Sequence, residues 1–255
     1  MRAGIPTLTV LGVPVAVLHA DAALAQARAL LDNREPALLA YVNAHSLNLA
    51  AVDAEYRQIL RDADLVLNDG IGLTIAARLQ GQAFPANLNG TDFTPRLLAA
   101  IGPNEPVFLL GGKPGVAERA AANLAAQIRG LSIAGCAHGY FTDAELPGLL
   151  SRIRACKTRI LLVGMGNPAQ ERWLAEHLPA SRARLGVAVG AFLDFAAGEV
   201  RRAPEWVRQA RLEWLYRLGV EPGRLWRRYV LGNPLFLYRV IMARQRQRRH
   251  HTGQD

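Results

Sequence analysis

The sequence predicts an α/β fold in which a parallel sheet carries helices on both faces. Three observations lead to this prediction. Short apolar segments alternate regularly with longer amphipathic segments, as in βαβ units. Glycine-rich turns follow several of the apolar segments. The chain has 255 residues, of which 51% are hydrophobic, which is enough to build a substantial core.

Each element is predicted from local pattern and from flanking Gly, Pro, Asp or Asn residues. The strands are predicted at residues 7–17 (a hairpin around Gly12), 38–42, 65–67, 107–110, 131–136, 160–163 and 185–189. The helices are predicted at residues 21–31, 46–61, 71–79, 91–101, 116–128, 143–155 and 168–178. Asp21 is a candidate cap for the first of these helices. This alternation predicts a Rossmann-like sheet.

Positive charge is concentrated at the C-terminal end. Residues 1–200 contain 17 Lys and Arg and 17 acidic residues, whereas residues 201–255 contain 13 Arg and 4 acidic residues, which accounts for the whole net charge of +9. We therefore predict an α/β core at 1–200 and a helical basic appendage at 201–255. An asymmetry of this kind indicates an anionic partner such as a membrane surface, a phosphate group or nucleic acid.

Cysteine usage and hydropathy predict the compartment. Cys136 and Cys156 lie far apart in sequence without metal-ligand spacing, which fits a reducing, cytoplasmic setting. The N-terminus shows no secretory signal pattern. The apolar run at 229–238 is interrupted by Asn233 and Pro234 and is too short to span a bilayer.

One stretch, ADLVLNDGIG at 63–72, carries the strongest functional signal. It predicts a buried strand that leads directly into a helix, with Asn68, Asp69 and Gly70 between them. Ligands of open α/β sheets bind at the carboxyl ends of the strands. Asp69 is therefore a candidate ligand-binding residue. The alternative is that Asp69 caps the following helix.

Two other junctions are glycine-rich and give weaker signals. Gly111 and Gly112 follow one strand, and Gly164 and Gly166 follow another. Each junction can present helix N–H groups to a phosphate, although neither has the complete GxGxxG or Walker pattern. These glycines are candidate substrate-binding residues, and tight turns in an ordinary α/β protein are the alternative.

The segment NPAQE at 167–171 has a structural explanation that needs no ligand. Asn167 at the N-cap, Pro168 at N1 and Gln170 at N3 would form a capping box. Asp62 and Asp64 match the metal-binding DxD pattern of many sugar transferases, but they precede their strand and are expected at the opposite end of the sheet. The sequence therefore predicts no metal site.

The basic tail mixes arginines with Trp206, Trp214 and Trp226. Arg217, Arg224 and Arg228 are spaced 7 and 4 residues apart, which would place them along one side if one helix continued through residues 221–223. This composition suits a segment at a membrane interface. A helical segment packed on the core is the alternative, and a nucleic-acid-binding arm is disfavoured because the core shows no recognisable reading module.

Several of these stretches resemble the WecG/TagA/CpsF family of bacterial glycosyltransferases. ADLVLNDGIG matches the family pattern AD-x-V-x-PDGIG, and LLVGMGNPAQERW matches LLVGLG-x-P-x-QE-x-W. The blocks GAFLDFAAGEVRRAPEW and LEWLYRLGVEPGRLWRRY match as well, the latter most specifically. The resemblance runs from about residue 42 to residue 240.

The resemblance implies transfer of a sugar from a UDP-sugar to a polyprenyl-diphosphate-linked acceptor at the inner face of the plasma membrane. The linkage forms with inversion, without a metal or other cofactor. Asp69 falls on the proposed catalytic base. The residues implied to bind substrate are Asn43, Asn68, Gln170 and Asp194, together with the tail arginines Arg217, Arg224 and Arg227. Nucleic acid is not an expected partner, and a homo-oligomer is left open.

The chemistry is consistent with this implication. Inverting transfer needs one base to accept the proton of the acceptor hydroxyl. The departing diphosphate needs positive charge, which arginines can supply.

The sequence departs from the family pattern at four of the positions compared. Tyr41 stands where many members have Thr, Asn87 where many have an active-site Arg, Asn68 for a Pro and Leu193 for a Phe. The stretches NLNGTDF and NAHSLN resemble the exopolysaccharide branch, which transfers glucose. N-acetylmannosamine transfer is the alternative within the family, and a nucleotide-binding protein with a nucleic-acid-binding tail is a more remote one.

Overall fold

The computed structural model describes residues 4–209 and 212–252, with the side chains of 208, 209, 224 and 247–252 outside that description. Within these residues, six strands form one parallel sheet, and Thr7–Val10 and Val13–Ala16 form a separate antiparallel hairpin. The order of the strands across the sheet is Leu65–Asn68, Ala37–Val42, Leu185–Ala188, Ile160–Gly164, Pro106–Gly111 and Ser132–Ala137. The predicted α/β class with a Rossmann-like parallel sheet is confirmed.

The elements have the following bounds. The strands are β1 Thr7–Val10, β2 Val13–Ala16, β3 Ala37–Val42, β4 Leu65–Asn68, β5 Pro106–Gly111, β6 Ser132–Ala137, β7 Ile160–Gly164 and β8 Leu185–Ala188. The core helices are α1 Ala20–Asp32, α2 Ala44–Val52, α3 Ala54–Asp62, α4 Ile71–Leu79, α5 Gly90–Ile101, α6 Val116–Gln127, α7 Leu146–Ala155, α8 Ala169–Ser181 and α9 Phe192–Ala196. The tail contains α10 Glu205–Gln209, α11 Glu213–Val220, α12 Pro222–Trp226, a π-helical turn at Arg227–Leu231 and α13 Gly232–Thr252.

The interior strands β3 and β8 are apolar along their whole length because helices cover both faces of the sheet. Every residue of β3, β4 and β8 is buried. One face packs against α1, α5, α6 and α9. The other face packs against the hairpin and α2, α3, α4, α7, α8 and α13. This arrangement leaves the carboxyl end of the sheet for loops and helix N-termini.

Three helix starts differ from the predictions. The predicted helix at 46–61 is two helices, because Asp53 ends α2 and its carboxylate accepts from the Tyr56 N–H at 2.9 Å as the cap of α3. The N-cap of α1 is His19, and Asp21 lies in the first turn. Helix α7 starts at Leu146, because the Glu145 carboxylate binds Thr142 in a preceding turn.

The last helix belongs to the hydrophobic core. Phe236 and Val240 of α13 are fully buried in the cluster that contains α2 and α4. The Asn48 side chain donates to the Gly232 carbonyl at 2.7 Å, and Arg239 donates to the Asn48 carbonyl at 2.8 Å. This part of the basic segment is therefore packed on the core, which the charge pattern did not predict. The domain boundary at residue 200 stays a prediction.

Candidate active site

A cavity of about 730 Å³ lies at the carboxyl ends of β3 and β4, under the tail. Its floor is formed by the starts of α2 and α4, which follow those two strands. Residues of α11, the π-helical turn and α13 close it from the other side. The cavity therefore exists because the tail folds back over the end of the sheet.

Asp69 lies in the floor of this cavity. Its backbone N–H donates to the Val42 carbonyl at 2.8 Å, which extends the β3–β4 pairing by one residue and fixes its position. The N-cap of α4 is Gly70, whose φ of 87° suits glycine. Asp69 is therefore not the helix cap, and the capping alternative is wrong.

The environment of Asp69 controls its proton affinity. Burial raises the pKa of the Asp69 carboxyl, and the nearby Glu213 carboxylate adds to that effect. Arg228, a hydrogen bond from the Asn43 side chain and Arg217 act in the opposite direction and lower this pKa. The net result is a pKa above the ordinary value, and a raised pKa makes a carboxylate a stronger base.

Asn43 orients Asp69 and caps α2 with the same side chain. Its Oδ1 accepts from the backbone N–H groups of His45 at 3.0 Å and Ser46 at 3.2 Å. The Ser46 hydroxyl accepts from the Asn43 N–H at 2.8 Å, which completes a capping box. Since Oδ1 is used by the helix, the amide group of Asn43 is available to donate to Asp69. The parallel pairing of β3 with β4 brings these two strand ends together.

Among the side chains that the structure describes, the arginines in the cavity wall are Arg217 and Arg228. Arg217 lies over the ring of Phe195, with its guanidinium carbon 5.2 Å from the ring centre. Arg227, which the resemblance indicates, is exposed and lies over Trp226 at 5.4 Å. The side chain of Arg224 lies outside the described residues, and the binding roles of Arg224 and Arg227 stay predictions. The signal for Arg228 was its helical spacing from Arg217.

Charged side chains connect the tail to the core next to the cavity. Arg202 contacts Asp92 at 2.6 Å and Glu213 at 3.4 Å, which joins α5 to α11. The guanidinium of Arg202 also lies 5.9 Å from the centre of the Phe195 ring. Phe195 therefore contacts both Arg202 and Arg217. These contacts hold the tail in the position that closes the cavity.

Gln170 lies beside the site but outside the cavity wall. It is fully buried, and its Oε1 accepts from the N–H groups of Gly166 at 3.2 Å and Gly190 at 2.9 Å. Pro168, not Asn167, is the N-cap of α8, and it has no side-chain cap hydrogen bond. The predicted capping box is therefore wrong. Gln170 instead joins the loops that follow β7 and β8.

Three of the four candidate glycines have a packing explanation, whereas a Cβ on Gly166 would meet nothing within 4 Å. A Cβ on Gly111 would lie 2.2 Å from the Gly164 carbonyl oxygen, and a Cβ on Gly164 would lie 2.8 Å from the Gly190 carbonyl oxygen. A Cβ on Gly112 would lie 2.6 Å from Val116. Adjacent loops can approach this closely when these positions carry no side chain. Gly111, Gly112, Gly164 and Gly166 do not line the described cavity, and their role in substrate binding stays a prediction.

Two further candidates lie near the cavity without lining it. Asn68 is buried and donates to the Ala86 carbonyl at 2.9 Å, so it holds the loop between α4 and α5. Asp194 is half-buried in the first turn of α9, next to the wall residue Phe195. Substrate contacts by Asn68 and Asp194 stay predictions.

The departures from the family pattern have separate explanations. Tyr41 is buried, and its hydroxyl lies 3.1 Å from that of Thr94. Leu193 is buried in the core. Asn87 lines the cavity, and its Oδ1 accepts from the Gly70 N–H at 2.9 Å. Of these three, Asn87 is the one in the cavity wall.

Sequence reasoning missed most of the wall. Asn89, the N-cap of α5, and Thr91 in its first turn line the cavity, and α2 contributes His45. The apolar part of the cavity wall comes from α4 and the tail, and includes Ile71, Ile75, Trp214, Leu218, Val230 and Leu237. Apolar residues of the tail are indistinguishable in sequence from ordinary core positions, and this is why they gave no signal.

The cavity thus combines a buried carboxylate at a strand end, two arginines and an apolar wall. The model of the Glycosyl transferase WecG/TagA/CpsF family matches residues 8–250. The chain belongs to this family. The match reaches further in both directions than the predicted 42–240, so the arginines at 244, 246, 248 and 249 lie inside it. The enzyme is a glycosyltransferase, and membership implies surface polysaccharide synthesis with a sugar donor and an acceptor.

The described residues of this glycosyltransferase contain no group of three or more His, Cys, Asp or Glu side chains placed to hold a metal ion. Asp64 accepts from the N–H of Leu38, at the start of β3, which puts the DxD segment at the end of the sheet away from the cavity. Among residues 4–209 and 212–252, no helix is long and apolar enough to cross a bilayer.

Proposed function

We propose that the enzyme transfers a hexose, with inversion, from a UDP-sugar to a polyprenyl-diphosphate-linked sugar, and that the transferred hexose is glucose. The observation that supports this most directly is the position of Asp69 in a cavity that it shares with two arginines and an apolar wall. The choice of glucose over N-acetylmannosamine rests on the stretches NLNGTDF and NAHSLN.

The proposed reaction is a single displacement at the anomeric carbon. Asp69 accepts the proton of the acceptor hydroxyl while that oxygen bonds to the anomeric carbon. The bond from this carbon to the diphosphate oxygen breaks on the opposite face, and UDP leaves with the electron pair. Arg217 and Arg228 stabilise the negative charge that develops on the diphosphate. The apolar wall contacts the first isoprene units of the acceptor.

The surface of the tail supports a position at the membrane. Its exposed apolar side chains include Trp206, Trp226, Leu231 and Tyr238, with exposed fractions of 70%, 43%, 56% and 60%. They alternate with arginines, as in segments that lie in the interface of an anionic membrane. We propose peripheral binding to the inner face of the bacterial plasma membrane.

A donor screen tests the proposed function. UDP-glucose and UDP-N-acetylmannosamine would be incubated with the enzyme and a short-chain prenyl-diphosphate-linked sugar acceptor, and lipid-linked product measured by mass spectrometry. We expect faster transfer of glucose than of N-acetylmannosamine. Faster transfer of N-acetylmannosamine would contradict the sugar assignment. No transfer from any UDP-sugar would contradict the donor class.

Turnover is expected to be independent of divalent metal ions. Excess EDTA should leave the rate unchanged, because arginines supply the charge that a metal would otherwise provide. The measurement compares initial rates with EDTA and after re-addition of Mg²⁺ or Mn²⁺. Loss of activity in EDTA with recovery on metal addition would contradict this expectation.

Truncation after Ala243 is expected to weaken binding to anionic vesicles without lowering turnover on a soluble acceptor. It removes Arg244, Arg246, Arg248 and Arg249 but keeps the buried residues Phe236 and Val240. Each arginine near an anionic surface contributes up to about 1 kcal/mol, less at high salt. Vesicle co-sedimentation at low and high salt measures the change.

Arg228→Ala is the matched variant and should have the opposite effects, because Arg228 lies in the cavity wall. Turnover on the soluble acceptor should fall while vesicle binding is mostly kept. If the truncation and Arg228→Ala both weaken vesicle binding without lowering turnover, the tail arginines bind the membrane and do not take part in the reaction.

A further inference from the structure

His45 is a half-buried residue of the cavity wall that the proposed mechanism does not use. It lies in the first turn of α2, two residues after Asn43, and its backbone N–H donates to the Asn43 side chain. His45 and Asp69 therefore line the same floor of the cavity. Neither ring nitrogen has a hydrogen-bond partner among the described residues, which leaves both available to a ligand.

His45 is uncharged in the empty cavity at neutral pH. Burial, and secondarily the positive charge of Arg228, lower the pKa of His45 to about 4. Arg228 also acts on Asp69, so the guanidinium lies within electrostatic reach of both side chains. The other charged side chains lining the cavity are Asp69, Asp92, Glu213 and Arg217.

An anion beside Arg228 would change this balance. It would neutralise the guanidinium charge that disfavours protonation of His45 and would itself attract an imidazolium. The N-termini of α2 and α4 meet at the same floor and favour negative charge there. A neutral sugar hydroxyl would have neither effect. The surroundings of His45 therefore favour an anionic ligand over a neutral one.

We propose that His45 and Arg228 together bind the diphosphate group of a substrate, and that His45 takes up one proton from solvent when this group binds. The proposal rests on the proposed function, in which both substrates carry a diphosphate: a nucleoside diphosphate in the donor and a prenyl diphosphate in the acceptor. The protonated imidazole then donates a charge-assisted hydrogen bond to a phosphate oxygen beside Arg228.

Isothermal titration calorimetry at pH 6 tests the proposal. UDP, farnesyl diphosphate and inorganic pyrophosphate would each be titrated in two buffers with different ionisation enthalpies, which yields the number of protons taken up. We expect greater proton uptake by the wild-type enzyme than by His45→Gln, and about tenfold weaker binding by the variant. Comparison of UDP with farnesyl diphosphate identifies which substrate's diphosphate occupies the site.

His19→Gln is the matched control, because His19 is exposed and lies outside the cavity wall. It should bind and take up protons like the wild type. Equal affinity and equal proton uptake by wild type and His45→Gln for every ligand that binds would overturn the proposal. If none of the three ligands binds the wild type, the proposed function fails, and the inference fails with it.

An NMR titration of the His45 ring provides a second measurement that needs no His45 variant. Saturation with the bound diphosphate should raise the pKa of His45 from about 4 toward its ordinary value near 6.5. Arg228→Gln should raise this pKa in the empty enzyme as well, since it removes a positive charge. An unchanged pKa of His45 in the diphosphate complex would overturn the proposal.

Discussion

Replacement of Asp69 by Asn is expected to lower turnover by roughly 10²-fold or more, with little change in donor affinity. Asn keeps the size of the side chain and its hydrogen bonding to Asn43 but cannot accept a proton from the acceptor hydroxyl. The measurement is the steady-state rate on a soluble lipid-diphosphate acceptor, with UDP affinity measured separately. Asp143→Asn is the control, because Asp143 is exposed in the turn before α7 and lies outside the cavity wall.

The pH dependence of the rate gives an independent test of the same role. A base must be deprotonated to act, so kcat/KM should fall as the pH drops through the pKa of Asp69. Burial raises that pKa, so the fall should occur above the ordinary range of an aspartate near pH 4. Glu213→Gln removes a negative charge, lowers the pKa of Asp69 and should move this fall in kcat/KM to lower pH. Arg228→Gln removes a positive charge, raises the pKa of Asp69 and should move the fall to higher pH. Near-wild-type turnover by Asp69→Asn, with an unchanged pH profile, would contradict the assignment.

Replacement of Phe236 by Ala is expected to lower the free energy of unfolding by about 3–5 kcal/mol. Phe236 is fully buried in α13 and packs over Gly72 of α4, where a Cβ would lie 3.6 Å from its ring. Removal of the ring leaves a cavity between the tail and the sheet. Urea unfolding followed by circular dichroism measures the change.

Leu235→Ala is the matched control in the same helix, since the side chain of Leu235 is 43% exposed. It should cost less than about 1 kcal/mol. Phe236 also lines the active-site cavity, so Phe236→Ala should lower turnover under conditions in which the variant is still folded. If the two variants have the same stability, α13 is a peripheral attachment and the predicted boundary at residue 200 gains support.

The ends of β3 and β4 were predictable because their signals are local. Continuous apolar runs followed by Asn43 and Asp69 identify buried parallel strands with polar residues at their carboxyl ends. The order of the strands in the sheet was not predicted. The structure pairs β3 with β4 in parallel, and this pairing brings Asn43 within hydrogen-bonding distance of Asp69. Local pattern did not predict the break at Asp53, because an aspartate can equally cap a helix or lie on its exposed face.

The start of α8 is a feature for which the local sequence pattern gave a wrong prediction. Asn167, Pro168 and Gln170 have the spacing of a capping box, but Gln170 binds the N–H groups of Gly166 and Gly190 instead. Gly190 lies 20 residues further along the chain and competes for the same acceptor. A contact between distant loops therefore replaced the local one.

Sequence by itself determined the α/β class, the strand ends and the position of Asp69, because each depends on short-range periodicity and on the geometry of parallel strands. Tertiary structure decided which arginines reach the cavity, and it brought His45 and Arg228 into the wall of the same cavity. It also put Phe236 in the core. These contacts join residues more than 150 positions apart, and they depend on how the π-helical turn and α13 pack on α2 and α4. Charge and hydropathy patterns show which residues the tail contains, whereas tertiary packing determines which of its side chains face the core, the cavity or the solvent.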